Sequence, residues 1–160
     1  MKHTAALSTA LLFALAGCAA PPSDTATSAS RTEACKAASE QDIAALFDRW
    51  NASLQTGDPD KVVANYAQRS ILLPTVSNKP RFSAAEKEDY FHHFLANKPS
   101  GRINARMIEI GCNTALDAGI YTFTFASTGN QVVARYSYTY KWDGRQWLIT
   151  SHHSSAMPEK

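Results

Sequence analysis

The hydrophobic period changes part-way along the chain, and this change constrains the fold more than any other feature. Before Pro99-Ser100-Gly101, apolar residues recur at helical spacing; after it they alternate. Gln41 to Thr56 reads as a helix, with Ile43, Leu46, Phe47, Trp50 and Leu54 on one face. Gly57-Asp58-Pro59 stops it, and Asp58 then caps a second helix that has Pro59 at its first position and carries Val62, Val63 and Tyr66. Ser70 to Thr75 predicts a short strand closed by Pro74. Ser83 caps a third helix, Ala84 to Ala96, with Glu86 at the capping-box position. Tyr90, Phe91, Phe94 and Leu95 give that helix an apolar side. Four strands follow: Arg102 to Cys112, Ala115 to Ala126, Val132 to Trp142 and Gln146 to Ala156. Ser127-Thr128-Gly129-Asn130 and Asp143-Gly144 read as hairpin turns. Helices first and then a meander of strands predict an α+β domain, an antiparallel sheet with helices packed on one face.

The 160 residues suffice for one such domain. The net charge is +2, and acidic and basic residues are interspersed. No Lys/Arg cluster provides a nucleic-acid face, so nucleic acid is not an expected partner.

The N-terminus has the form of an export signal. Lys2 and His3 precede an apolar run from Ala5 to Ala16, which is too short to span a bilayer as a helix. The run ends in Leu15-Ala16-Gly17-Cys18, which resembles the bacterial lipobox, where the Cys receives lipid and becomes the new N-terminus. The expected organisation is a signal over residues 1–18, a flexible tether over 19–40 rich in Pro, Ser, Thr and Ala, and a domain over 41–160. Lipid on Cys18 would hold the protein at the cell envelope. Ala19 after it follows the sorting pattern for the outer membrane, facing the periplasm, in a host that has one. Cys35 and Cys112 remain: either a disulfide, which an oxidising compartment would preserve, or two separate buried thiols.

The order of elements, with particular residues in it, resembles the nuclear-transport-factor-2-like superfamily. Within it the chain is most similar to the association (hub) domain of calcium/calmodulin-dependent protein kinase II and its stand-alone bacterial relatives. The residues carrying the resemblance are Leu54-Gln55-Thr56-Gly57-Asp58-Pro59, Gly119-Ile120-Tyr121, and Asp143-Gly144-Arg145-Gln146-Trp147-Leu148-Ile149 with His152-His153-Ser154-Ser155-Ala156-Met157-Pro158. The resemblance implies a cone-shaped fold, a pocket, and self-association as a homodimer or a larger ring. It does not imply kinase activity, because the chain has no Gly-rich phosphate loop. The hub pocket's arginines fall near Tyr121, Ser137 and Ser154 here, so its anion binding does not carry over intact.

The expected pocket lining is Asp117, Tyr121, Arg135, Ser137, His152 and Ser154 from the strands, with Trp50 and Tyr66 from the helices. His153, one residue on from His152, points outward. His152 is either a general acid/base oriented by Asp117 or Tyr121, or a hydrogen-bonded structural histidine. His92-His93 and His152-His153 cannot form compact metal sites, since neighbours on a helix or strand diverge; no metal or other cofactor is expected. Tyr136, Tyr138 and Tyr140 form an aromatic stripe opposite Arg135, which would bury against a second copy if it faced outward. The leading expectation is a non-catalytic envelope lipoprotein that self-associates and binds a small ligand. The alternatives are an enzyme of isomerase, dehydratase or cyclase type using His152 with Asp117 or Tyr121, and a pure assembly module.

Overall fold

The computed structural model describes residues 34–158. The signal, Cys18 and residues 19–33 of the tether lie outside the described residues. Three helices precede most of the sheet: α1 (Glu40–Leu54), α2 (Pro59–Val63) and α3 (Ala84–Leu95), with β1 (Tyr66–Leu73) between α2 and α3. The strands β2 (Pro99–Gly111), β3 (Thr114–Phe125), β4 (Asn130–Trp142) and β5 (Trp147–Ala156) then follow.

Each helix starts where a side chain can satisfy its first free N–H groups. Ser39 and Asp42 form a capping box on α1, and Ser83 and Glu86 form one on α3. Asp58 caps α2, and Pro59 occupies its first turn. Gly57 turns the chain between α1 and α2 at φ +69°, a conformation that favours glycine.

The sheet runs β1-β5-β4-β3-β2. The four later strands pair antiparallel, as their alternation predicts. β1 instead pairs parallel with β5, with Leu72 opposite His152. The sheet is therefore mixed rather than antiparallel throughout. Tyr66 begins β1 instead of ending a helix, because α2 closes at Val63 and Asn65 is already held to β5 through the Ile149 N–H.

A bulge between Ile103 and Ala105 bends β2. It drives the Ala105 carbonyl over Gly119, where a Cβ would sit 1.9 Å from that oxygen. Only glycine fits at this bend.

The inner face of the sheet packs on α1. Phe47 and Trp50 meet Tyr136, Tyr138, Phe123 and the β5 side chains, so the core lies between α1 and the sheet. The aromatic stripe Tyr136, Tyr138 and Tyr140 is thus interior, each residue 3% exposed or less. This corrects its expected role as a contact between copies. Alternation shows that these three residues share a face; α1 determines that this face is the inner one.

The segment before α1 is tied down. Cys35 and Cys112 form a disulfide, with their Cα atoms 4.7 Å apart. Asn113 clasps the same segment, accepting from the Lys36 N–H and donating to the Ala34 carbonyl. Residues 34–39 therefore belong to the domain and not to a free tether. The bond closes a span of 77 residues. A Cys35→Ser/Cys112→Ser variant should lose about 2–4 kcal/mol, which lowers Tm by roughly 10 °C for a domain of this size. Calorimetry on the variant and on reduced wild type should give the same lowered Tm; an unchanged Tm in both would refute a stabilising bond.

Candidate functional site

The inner face of the sheet, α1 and α3 enclose a cavity of about 420 Å³. Its position follows from the elements around it. Trp50 reaches in from α1, while Tyr90, Phe91 and Phe94 come from α3. Tyr121, Phe123 and Phe125 line the β3 wall, and His152 and Ser154 the β5 wall. Lys87 fixes α3 over this opening. Its ammonium is buried and donates to the carbonyls of Ser70, Phe82 and Ser83, joining α3 to β1 and to the segment between them.

The walls are aromatic, and the polar groups gather on one side. His152 is 5% exposed. Its Nδ1 lies 2.8 Å from the Tyr66 hydroxyl. Tyr138 stacks on the imidazole at 4.2 Å, and Trp50 meets it edge-on at 5.2 Å. The ring therefore cannot swing. Its Nε2 is buried without a hydrogen-bond partner among the described residues. Beside it the Tyr121 hydroxyl donates to Ser154 Oγ at 2.5 Å, and Ser154 Oγ bonds in turn to Thr75 Oγ1. A buried imidazole and a relay of three hydroxyls make up the polar pole of the site.

Burial lowers the pKa of His152 from the usual 6.5 to about 3, because nothing beside it repays the loss of water around a cation. Burial pushes the Tyr66 hydroxyl well above 10 and raises Tyr121 too. All three are neutral at ordinary pH. A depressed histidine destabilises the fold in acid: the unfolded chain takes up its proton near pH 6.5, whereas the folded chain resists until about pH 3. Stability should fall by about 1.4 kcal/mol per pH unit in that window, or roughly 3 kcal/mol at pH 4.5. Of the exposed carboxylates held low by caps and turns, Glu86 begins to act near pH 4.5, and Asp42 and Asp143 further into acid. Urea unfolding at pH 7 and pH 4.5 measures the difference, and a His152→Gln variant should lack it. Because buried Asp117, with its raised pKa, acts the opposite way in both proteins, the contrary result would be a His152→Gln variant that loses as much stability between the two values as wild type.

Of the residues expected in the pocket, Trp50, Tyr121, His152 and Ser154 line it together. Tyr66 stands behind the wall and holds His152. His153 points outward and is exposed, as alternation requires.

The others are placed elsewhere. Asp117 is fully buried but turned to β2, where its Oδ1 accepts from Arg106 Nε at 3.1 Å and from the Tyr136 hydroxyl at 2.8 Å. It is thus occupied by a cation and a phenol, and it does not orient His152. Neither does Tyr121, whose hydroxyl is bonded to Ser154. Arg135 and Ser137 share a face, but it is the outer one. Arg135 is exposed and donates to the Ala156 carbonyl, so it does not line the cavity. The reason is the inward tyrosine stripe, which turns the residues between its members away.

Several cavity residues escaped the sequence reading: Thr75, Arg81 and the aromatic side of α3. The α3 pattern Tyr90-Phe91-Phe94 was the available signal, since an apolar helix side needs a partner. Arg81 enters because its segment pairs back on Leu72 of β1. Among the described residues no group of three or more His, Cys, Asp and Glu side chains could hold a metal ion. No helix among them is long and apolar enough to cross a membrane.

Comparison with known proteins places this architecture. The family described as calcium/calmodulin dependent protein kinase II association domain matches residues 39–158. A crystal structure assigned to that association domain, from Xanthomonas campestris, is 48% identical; the match covers 80% of this chain and 98% of that one, with a TM-score of 0.71. An NTF2-like protein of unknown function from Pseudomonas putida is 15% identical over 79% of this chain and 92% of its own, with a TM-score of 0.67. A cyanobacterial iota-carbonic anhydrase, solved with bicarbonate, is 18% identical over 79% of this chain and 97% of its own, with a TM-score of 0.69. At such identity the last two share the fold. A search of the curated proteins finds no match.

Proposed function

Because the chain belongs to the calcium/calmodulin dependent protein kinase II association domain family, we propose that it is an exported lipoprotein whose domain self-associates and holds a small ligand in its cavity, without kinase activity. The observation carrying the ligand reading is the unpartnered Nε2 of His152 in the wall of an aromatic cavity. A buried polar atom without a partner is costly, and a ligand or a water would satisfy it. No acid/base set accompanies it: His152 is held neutral, and Asp117 is bonded to Arg106 and Tyr136. This favours binding over isomerase or dehydratase chemistry.

Export is supported by the signal-like N-terminus ending at Cys18 and by the Cys35–Cys112 bond, which an oxidising compartment preserves. A Cys18→Ser variant that still fractionates with membranes would count against lipidation. Self-association is assigned to the outer face of the sheet. Met107 and Val133 are about half exposed there, and Ile120 lies between their strands. A Met107→Asp/Val133→Asp variant should run as a monomer in light scattering while keeping its fold. Native mass spectrometry of residues 32–160, produced in an oxidising compartment, tests self-association and ligand binding together. An oligomer carrying a co-purified small molecule supports it; a bare oligomer favours the assembly module.

A second reading is the interconversion of carbon dioxide and bicarbonate. It is favoured by the cyanobacterial structure holding bicarbonate on the same fold and by the hydroxyl-rich pole set in apolar walls here. Stopped-flow hydration of carbon dioxide is the test. A rate above background that a Ser154→Ala variant loses would support it, and a background rate would remove it.

A further inference from the structure

The chemistry of the cavity narrows what it can hold, granted that it binds a ligand at all. The polar groups of its pole are His152, Tyr121, Ser154 and Thr75, none of them a cation. Charged lining residues are Arg81 and Asp89, of opposite sign. The Arg81 guanidinium donates to the Lys79 carbonyl and to Ser77 Oγ and lies over the Tyr90 ring, leaving its Nε unpaired. A carboxylate laid against the pole would give up its water without meeting a counter-charge there. Around the pole stand Trp50, edge-on to His152, and Phe123, beside Tyr121, with Phe91 and Phe94 packed against them, aromatic side chains that suit a flat ring. His152 Nε2 has one hydrogen bond to make. In one tautomer it donates to a carbonyl, and in the other it accepts from a hydroxyl.

We infer that the cavity selects an uncharged aromatic compound bearing one carbonyl or hydroxyl, with that oxygen on His152 Nε2 and the ring against Trp50 and Phe123. This rests on the ligand-binding reading and differs from the arginine-lined pocket that the hub resemblance implies.

Four probes of similar size test it: acetophenone, p-cresol, ethylbenzene and benzoate. Binding is followed at pH 7 by tryptophan fluorescence and calorimetry on the disulfide-bonded domain. Acetophenone or p-cresol should bind at least tenfold more tightly than both ethylbenzene and benzoate. A His152→Phe variant, checked as folded by circular dichroism, should lose the preference over ethylbenzene while still binding the ring. Benzoate binding as tightly as the neutral probes, or bicarbonate displacing them, would overturn the inference and leave ligand binding intact. An unchanged preference in His152→Phe would also overturn it. If none of the probes binds and native mass spectrometry shows no co-purified molecule, the inference and the ligand reading fall together.

Discussion

Changing Tyr138 to aspartate should unfold the domain rather than split a dimer. The ring is fully buried and stacks on His152, with Trp50 and Phe47 on its other sides. Deleting a core aromatic costs about 3–5 kcal/mol. A new carboxylate there would also lose its water close to Asp117, its neighbour across β3, so that the charge must be neutralised at further cost. The total rivals the whole stability of a small domain, about 5–15 kcal/mol. The expected result is a chain without near-ultraviolet dichroism. Tyr138→Phe is the control. Its hydroxyl has no partner among the described residues, so removing it should leave stability within about 1 kcal/mol of wild type. A folded, monomeric Tyr138→Asp protein would mean that the tyrosine stripe lies outside after all.

Arg106→Met should cost nearly as much, by a different route. Arg106 keeps only about a fifth of its side chain exposed, and Asp117 keeps none. Removing the cation leaves the carboxylate buried with Tyr136 as its sole remaining partner among the described residues, a loss of about 3–5 kcal/mol. The pH dependence identifies the cause. Burial already raises the Asp117 pKa above its ordinary value, and loss of Arg106 raises it further. A carboxyl whose folded pKa lies above its unfolded one stabilises the fold at low pH and loses that contribution as pH rises through the folded value. Relative to wild type, the variant should therefore recover stability as pH falls from 7 towards 5. A deficit constant across that range would point to lost packing over Phe47, which the guanidinium also covers.

Much of this architecture was legible in the chain because its local signals agree with one another. Ser83 with Glu86 and Asp58 with Pro59 mark helix starts where helices start. Gly129 and Gly144 sit at positive φ in the turns that join the meander. Alternation correctly separated His152 and Ser154 from His153. Two things were not legible. Tyr66-Ala67-Gln68-Arg69 has too little apolar pattern to read as a strand, and it becomes one through pairing with β5, far along the chain. The other was the sense of the β4 faces. Alternation fixes which residues share a side but not which side is inner, and tyrosine tolerates either. Phe47 and Trp50 on α1 decide it. That one inversion moved Arg135 and Ser137 out of the expected pocket. Thr75 and Arg81 were missed because the route from β1 to α3 leaves no periodic trace.

The strand order has a bearing on timing. β5 is the last strand in chain order, yet it is inserted between β1 and β4 and carries both His152 and Ser154. Until Trp147–Ala156 is available, β1 has no partner strand and the polar pole does not exist. A chain that emerges from synthesis residue by residue can form the β2–β3–β4 meander early, since those contacts are local, but it closes the cavity only once β5 has followed. The fold thus defers its own completion, and the binding chemistry with it, to the last ten-residue strand.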